Sequence, residues 1–219
     1  MKEPIKIAFA EDYAIERDGI VQLLSDYKDF KFVFLASNGK ELLGWLERHT
    51  PDIVLLDLNM HLMDGRETFS KIRTKHGQLK VIIFTEYFTD NYITEFMKKG
   101  ARAFLSKNNK IEKVADTIRR VHTNGICIDP MVSNILTKIG VVTMPDASIH
   151  ERLDLKLSAK EILILRYMCQ GKESKEIAVH TFNAVKTIEN HRSEIWKKTG
   201  CQNLPDLMEF AFKNGLITF

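Results

Sequence analysis

The sequence predicts an open, doubly wound α/β domain with five parallel strands, followed by a small all-α domain of four helices. Three observations carry that expectation. From Ile5 to His122 short apolar runs alternate with longer amphipathic stretches, the trace left by βα repetition. Two of those runs, Ile53 to Leu56 and Val81 to Phe84, are continuously apolar, as strands buried on both faces of a parallel sheet must be. Beyond Leu157 only helical periodicity remains.

In chain order the predicted strands are Ile5 to Ala10, Phe32 to Ala36, Ile53 to Asp57, Val81 to Thr85 and Ala103 to Ser106. The intervening helices are expected over about Ala14 to Asp26, Gly39 to Arg48, Gly65 to Lys75, Asp90 to Lys99 and Ile111 to Val121. Gly100 and Gly125 stand where helix C-terminal stops are needed. These elements define a first domain over 1–122.

Residues 123–154 read as a linker. They carry Gly125, Pro130, Gly140 and Pro145, with one possible helix near Met131 to Ile139. The second domain, 155–219, opens with Ser158 and Glu161 in capping-box spacing before Ile162, Leu163, Leu165, Met168 and Cys169. Three helices follow over about Ser174 to His180, Ala184 to Thr199 and Leu204 to Lys213. The last of them carries more apolar residues than one packed face needs, which suits either a dimer contact or core packing.

Composition bounds the function. The 219 residues are 44% hydrophobic and 28% charged, which is ordinary globular usage and excludes a disordered chain or a disulfide scaffold. A net charge of +3 is too small to announce nucleic-acid binding by electrostatics alone, so any such claim rests on local geometry. Cys127, Cys169 and Cys201 are widely separated, with neither disulfide nor zinc-ligand spacing. No run approaches the roughly 18 apolar residues of a membrane span, and no apolar signal core follows Met1, so a cytoplasmic protein without a membrane partner is expected.

In an open parallel sheet the reactive crevice lies at the carboxyl ends of the strands. The polar residues there are Glu11, Asp12, Asp57, Thr85 and Lys107. Three carboxylates at neighbouring strand ends repel one another unless a cation is present, and hard oxygen ligands suit Mg²⁺. A carboxylate beside Mg²⁺ is also a nucleophile toward phosphorus when donors such as Lys107 and Thr85 neutralise the equatorial oxygens. Taken singly, each of these residues is an ordinary turn, strand or surface residue; their joint placement at one sheet edge is the signal.

Glu11-Asp12, Leu55 to Met60 followed by Met63-Asp64-Gly65, Phe84-Thr85 and Phe104 to Lys107 together resemble the receiver domain of two-component response regulators, a flavodoxin-like fold. The resemblance covers about residues 4–122. It implies that Asp57 is the phosphoacceptor, that Glu11, Asp12, Asp57 and the backbone carbonyl of Asn59 hold Mg²⁺, and that Lys107 pairs with the phosphoryl group. It also implies a switch in which Thr85 moves toward the phosphate while Phe104 turns inward. Two positions depart from the family: His61 replaces a common proline, and Glu86 follows Thr85 where a small residue is usual. His61 reads as an exposed loop residue, whereas a bulky anion at Glu86 is expected to narrow the entrance and repel phosphodonors.

Projected as a helix, Ala184 to Lys197 places Val185, Ile188, Ile195 and Trp196 on one side. Lys186, Asn190, Ser193 and Lys197 fall opposite, flanked by Thr187, Glu189 and Glu194, a donor-rich face suited to base edges and phosphates. The short break at Thr181 to Asn183 gives helix-turn-helix spacing. Leu157 to Glu161, Gln170 to Lys172, Lys175 to Ala178, Lys186 to Ile188, Asn190-His191, Lys197 to Gly200 and Asn214 to Ile217 closely resemble the LuxR-type DNA-binding domain. By groove chemistry Glu189 and Asn190 suit bases, while Lys186, Thr187 and Lys197 suit phosphates. His191 reads as a packed support residue.

A receiver followed by such a domain resembles a NarL-type response regulator. The resemblance implies a transcription factor phosphorylated by a histidine kinase, bound to promoter DNA and dimeric when active. It implies no enzyme beyond Mg²⁺-dependent self-phosphorylation and dephosphorylation. The rival readings are a DNA-binding regulator indifferent to phosphorylation and, from another class, an Asp-nucleophile phosphatase, which lacks here the DxD motif expected on its first strand.

Overall fold

The structure is a computed structural model that describes residues 3–140 and 157–218. It has two compact units, Met1–Cys127 and Ile128–Phe219. In the first, β1 (Ile5–Ala10), α1 (Ala14–Ser25), β2 (Phe30–Ala36), α2 (Gly39–Leu46), β3 (Ile53–Leu56), α3 (Gly65–Lys75), β4 (Lys80–Thr85), α4 (Asp90–Lys98), β5 (Ala103–Ser106) and α5 (Ile111–Asn124) alternate strictly. All strand pairs are parallel and the order is β2-β1-β3-β4-β5.

That order has a functional consequence. The chain leaves β1 toward β2 on one side and returns at β3 on the other, so the loops after β1 and β3 part and open a crevice between them. Register aligns the two strand ends, with Ala10 opposite Leu56. The Asp57 amide, immediately past β3, donates to the Ala10 carbonyl at 3.0 Å. Asp57 was predicted as the last strand residue; it is instead the first loop residue, aimed off the sheet edge.

Alternation along the strands divides the core in two. Ile7, Phe9, Ile53, Leu55, Ile82, Phe84 and Leu105 pack with Leu24 of α1 and Val114, Ile118 and Val121 of α5. On the opposite face Phe69 of α3 and Phe96 of α4 meet edge-on at 5.2 Å. Local chemistry starts the helices: the Asn38 and Asp64 side chains accept the Glu41 and Glu67 amides at 3.0 and 2.8 Å. α5 ends at Gly125, whose φ of 83° is the left-handed cap glycine permits.

The second unit holds α6 (Pro130–Lys138), α7 (Ala159–Cys169), α8 (Ser174–Thr181), α9 (Val185–Thr199) and α10 (Leu204–Lys213). The capping box at Ser158 and Glu161 forms as predicted, and both Glu161 oxygens also take Lys198 Nζ, at 2.7 and 2.8 Å, tying the start of α7 to the end of α9. The expectation of a linker over 123–154 needs correction for its first part. α6 buries Val132, Ile135 and Leu136 and packs on α10, with Ser133 Oγ 3.2 Å from Met208 Sδ. Glu209 Oε1 accepts the Ile128 amide at 2.6 Å. The four helices predicted beyond residue 155 are present as α7 to α10, and α6, from the predicted linker, joins them in this unit; the remainder of the predicted linker, 141–154, lies outside the described residues. Leu207, Met208 and Ala211 of α10 are buried in this unit, while Phe210 and Phe212 are half-buried.

One glycine fixes the crevice. A Cβ on Gly65 would overlap the Asp57 carbonyl oxygen and come within 2.6 Å of Leu58 Cα, so the start of α3 lies directly against the backbone that carries Asp57. Gly65→Ala should therefore cost about 1–3 kcal/mol in urea unfolding, the range for overpacking. Gly44→Ala, which meets nothing within 4 Å on the exposed side of α2, should be neutral or stabilising by up to about 1 kcal/mol.

Candidate functional site

The crevice gathers the residues expected there. Glu11, Asp12 and Asp57 each offer a carboxylate oxygen within 4.8 Å of the others. Glu11 is fully buried and Asp57 is 2% exposed. Asp57 Oδ2 accepts the Asn59 amide at 3.2 Å. Lys107, just past β5, places Nζ 2.6 Å from Glu11 Oε2 and 3.4 Å from Asp57 Oδ2. Thr85 ends β4, fully buried, and its hydroxyl accepts the Tyr87 amide at 3.3 Å. A small cavity of about 40 Å³ lies over Asp57, lined by Tyr13, Glu16, Asn59, Thr85, Glu86 and Lys107 among others.

Burial dominates the electrostatics. Desolvation pushes the Glu11 carboxyl up to about 7; hydrogen bonding from Lys107 opposes the rise and the charge of Asp57 adds to it. Burial also raises Asp57, with Lys107, the Leu58 amide and the Thr85 hydroxyl pulling only part of the way back. For Lys107 burial acts downward, but hydrogen bonds to Glu11 and Glu16 and the charge of Asp57 outweigh it and raise its pKa. The pocket thus contains more negative charge than its one ammonium satisfies.

The donor set fits a hard divalent cation. Asp12 Oδ1 is buried with no hydrogen-bond partner among the described residues, an expensive state that coordination would relieve. The oxygens are carboxylates on adjacent loops, with Asn59 beside them, and no soft ligand intrudes.

Three placements were not legible in the sequence. His61 is 81% exposed, as expected, yet its ring Nδ1 and its amide both contact Asp12 Oδ2. Glu16, in the first turn of α1, places Oε2 2.7 Å from Lys107 Nζ across 91 residues of sequence. Phe104 is turned inward, 2% exposed and edge-on to Phe88 at 5.5 Å. Glu86 stands at the cavity over Asp57, as its position after Thr85 suggested.

In the helical unit, α8, a turn through Phe182 in the left-handed region, and α9 form the predicted helix-turn-helix. Lys186, Glu189, Asn190, Ser193 and Lys197 are exposed on α9, while Thr187 is half-buried. Lys186 and Glu189 pair at 3.3 Å, and Lys197 and Glu194 at 2.9 Å. Ile188 and Ile195 are buried on the opposite side; His191 and Arg192 are half-buried, the latter donating to the Lys172 carbonyl at 3.2 Å. No side chain caps the start of α9, where the Thr187 amide donates to the Ala184 carbonyl at 3.0 Å.

A doubly wound sheet with an acidic crevice, joined to a helix-turn-helix, defines a signal-controlled DNA-binding regulator. Residues 7–119 match the response regulator receiver domain and residues 155–211 match the bacterial regulatory proteins of the luxR family. The chain is 31% identical over 217 residues to the oxygen regulatory protein NreC of Staphylococcus carnosus, covering 98% of this chain and 100% of that protein. A LuxR-family DNA-binding response regulator from Staphylococcus aureus is 31% identical with a TM-score of 0.51, over 54% of this chain and 99% of its own. RcsB of Salmonella typhimurium shares the fold at 20% identity and a TM-score of 0.57, over 96% and 100% of the two chains; RcsB dimers have also been solved on DNA. The chain belongs to the two-component response regulators of the NarL/LuxR type, transcription regulators with a receiver and a LuxR-type DNA-binding domain.

The raised Glu11 pKa sets a pH dependence. A carboxyl whose folded pKa lies above its unfolded value of 4.5 contributes stability that is fully present below about 4.5 and is lost as pH rises through about 7. Metal-free protein should therefore lose stability from this group between those limits, and Glu11→Gln should flatten the loss. Mg²⁺ should raise the melting temperature more at pH 7.5 than at pH 5. Thermal melts at fixed ionic strength with and without Mg²⁺ check all three expectations.

Proposed function

We propose that Asp57 is the phosphoacceptor and that its phosphorylation by a histidine kinase controls DNA binding by α9. The observation that carries the reading is the convergence of Glu11, Asp12, Asp57, Thr85 and Lys107 on one crevice, with a buried carboxylate facing a small cavity. An Asp57 carboxylate oxygen attacks phosphorus; the P–O bond forms as the bond to the donor's imidazole nitrogen breaks, and that nitrogen leaves with the pair. Asn59 and Lys107 orient the carboxylate. Glu11, Asp12, Asp57 and the Asn59 carbonyl would hold Mg²⁺, which when bound neutralises charge developing on the phosphoryl oxygens. Lys107 supplies the ammonium for a further oxygen.

The phosphoryl group adds roughly −1.5 to −2 charge and three acceptor oxygens. The Thr85 hydroxyl then has a partner that exists in one state only, and the loop from Glu86 to Thr89 follows it. Phe104, with its ring inside against Phe88 and Phe96, packs on that loop and on α4 and is the second member of the switch. Small donors would phosphorylate Asp57 by the same chemistry, and water would later remove the group.

Lys186, Thr187 and Lys197 would meet phosphates, and Glu189, Asn190 and Ser193 would face base edges in the major groove. Promoter DNA is the target, the active form is a homodimer, and the protein works in the cytoplasm where its DNA is. The DNA-bound RcsB dimers support this arrangement as a proposal for the present chain.

The decisive experiment measures affinity for the protein's own promoter region, at stated salt, with and without beryllofluoride and Mg²⁺, beside Asp57→Ala. A gain of about ten-fold, within the usual range of allosteric coupling, that vanishes in Asp57→Ala is expected. Clear binding of equal strength in every condition would instead establish the phosphorylation-independent regulator. For the anion at the entrance, Glu86→Ala should raise the rate of phosphorylation by acetyl phosphate several-fold, on the order of 1 kcal/mol of relieved repulsion; an unchanged rate in a labelled-phosphate assay counts against it.

A further inference from the structure

We infer that Glu16 is a positioning residue that tethers Lys107 away from Asp57 and must release it when the phosphoryl group arrives. The inference rests on the phosphoacceptor reading above and concerns a residue outside the residues proposed to hold Mg²⁺.

Lys107 Nζ has three protons and three carboxylates around it, at 2.6 Å from Glu11, 2.7 Å from Glu16 and 3.4 Å from Asp57. The two short contacts are to the residues that do not carry the phosphate, and the long one is to the residue that does. An ammonium held this way is displaced from the position in which it would serve the reaction.

The two competing carboxylates differ in how they let go. Glu11 is fully buried, so it would give up Lys107 only to another cation, which Mg²⁺ held by Glu11, Asp12 and Asp57 would supply. The Glu16 side chain is 42% exposed and can be resolvated, so its grip is that of a surface ion pair. A dianionic phosphoryl oxygen, accepting a charge-assisted hydrogen bond in a desolvated pocket, outcompetes such a pair. Glu16 is therefore strong enough to hold Lys107 in the resting protein and weak enough to lose it on phosphorylation.

Position in the fold supports the assignment. Glu16 lies in the first turn of α1, where the helix N-terminus favours a carboxylate, and it lines the cavity over Asp57. It also lines a groove of about 330 Å³ with Ile15, Gly19, Ile20 and Leu23, so a carboxylate released by Lys107 has open space to turn into.

The experiment compares acetyl-phosphate labelling rates, at saturating Mg²⁺, of the full-length protein and its Glu16→Gln and Glu16→Asp variants, with Asp57→Asn as the blank. Glu16→Gln removes the charge; Glu16→Asp keeps the charge and loses the reach. Both variants should label faster by about five-fold, the strength of a surface ion pair. Acceleration in Glu16→Gln alone would mean simple repulsion of the donor and overturns the tether, as would unchanged or slower labelling in both. Wild-type protein that takes no Asp57-dependent label overturns the phosphoacceptor reading itself, and with it this role; that outcome is separated from the others by the wild-type sample. Circular dichroism melts of the variants should stay close to wild type, because the side chain is exposed on a helix start.

Discussion

The fold sets desolvated negative charge at the carboxyl edge of its sheet, and the receiver unit is organised around that cost. Glu11 and Asp57 leave β1 and β3 side by side because the strand order reverses between those strands, and the Asp57 amide is bonded to the Ala10 carbonyl. Neither carboxylate can move away to reduce the repulsion. The pocket answers with the Lys107 ammonium, backbone and hydroxyl donors, and an unpartnered Asp12 oxygen suited to a cation. In such a pocket a change of charge at Asp57 alters the balance at Lys107, Asn59 and Thr85, which lie around it.

The rigidity behind this comes from apolar packing. β1, β3 and β4 are buried on both faces, and full burial of a large side chain such as Phe9 or Phe84 is worth about 1.5–3 kcal/mol each. The strands therefore act as fixed posts, and adaptability is confined to the loops at their ends. Gly65 extends the same logic beyond the sheet: α3 starts so close to the Asp57 carbonyl that a side chain would not fit. The helical unit is built differently, with a buried carboxylate, Glu161, clamped by Lys198 and a capping box at the start of α7. That clamp fixes α9 from its far end and leaves its polar face unobstructed.

Two positions, Glu86 and His61, distinguish this receiver from the family pattern it otherwise follows, and Glu16 adds to them in the structure. Glu86 and Glu16 place two carboxylates at the mouth of the cavity over Asp57, and His61 contacts Asp12 where a proline is common. The two carboxylates make the approach to Asp57 anionic. In the helical unit Glu189 on α9 pairs with Lys186 at 3.3 Å, so the exposed face of that helix carries both signs of charge.

The sequence by itself determined the element order, the parallel sheet, the helix-turn-helix and the principal crevice residues. Those signals are local: continuous apolar runs mark β3 and β4, capping residues mark helix starts, and Glu11-Asp12, Asp57, Thr85 and Lys107 each follow a recognisable strand. Element ends moved by a few residues because fraying and capping settle them; α5, for instance, runs to Asn124 before Gly125 stops it. What only the tertiary structure decided are contacts between residues with no local signature for each other. Glu16 reaches Lys107 across 91 positions, and α6, in a stretch that reads as a linker, packs on α10 through Ser133 and the Glu209 bond to Ile128. Periodicity says which face of an element is apolar, but which partner that face meets, and which carboxylate an ammonium chooses, depends on distances fixed only when the chain has closed on itself.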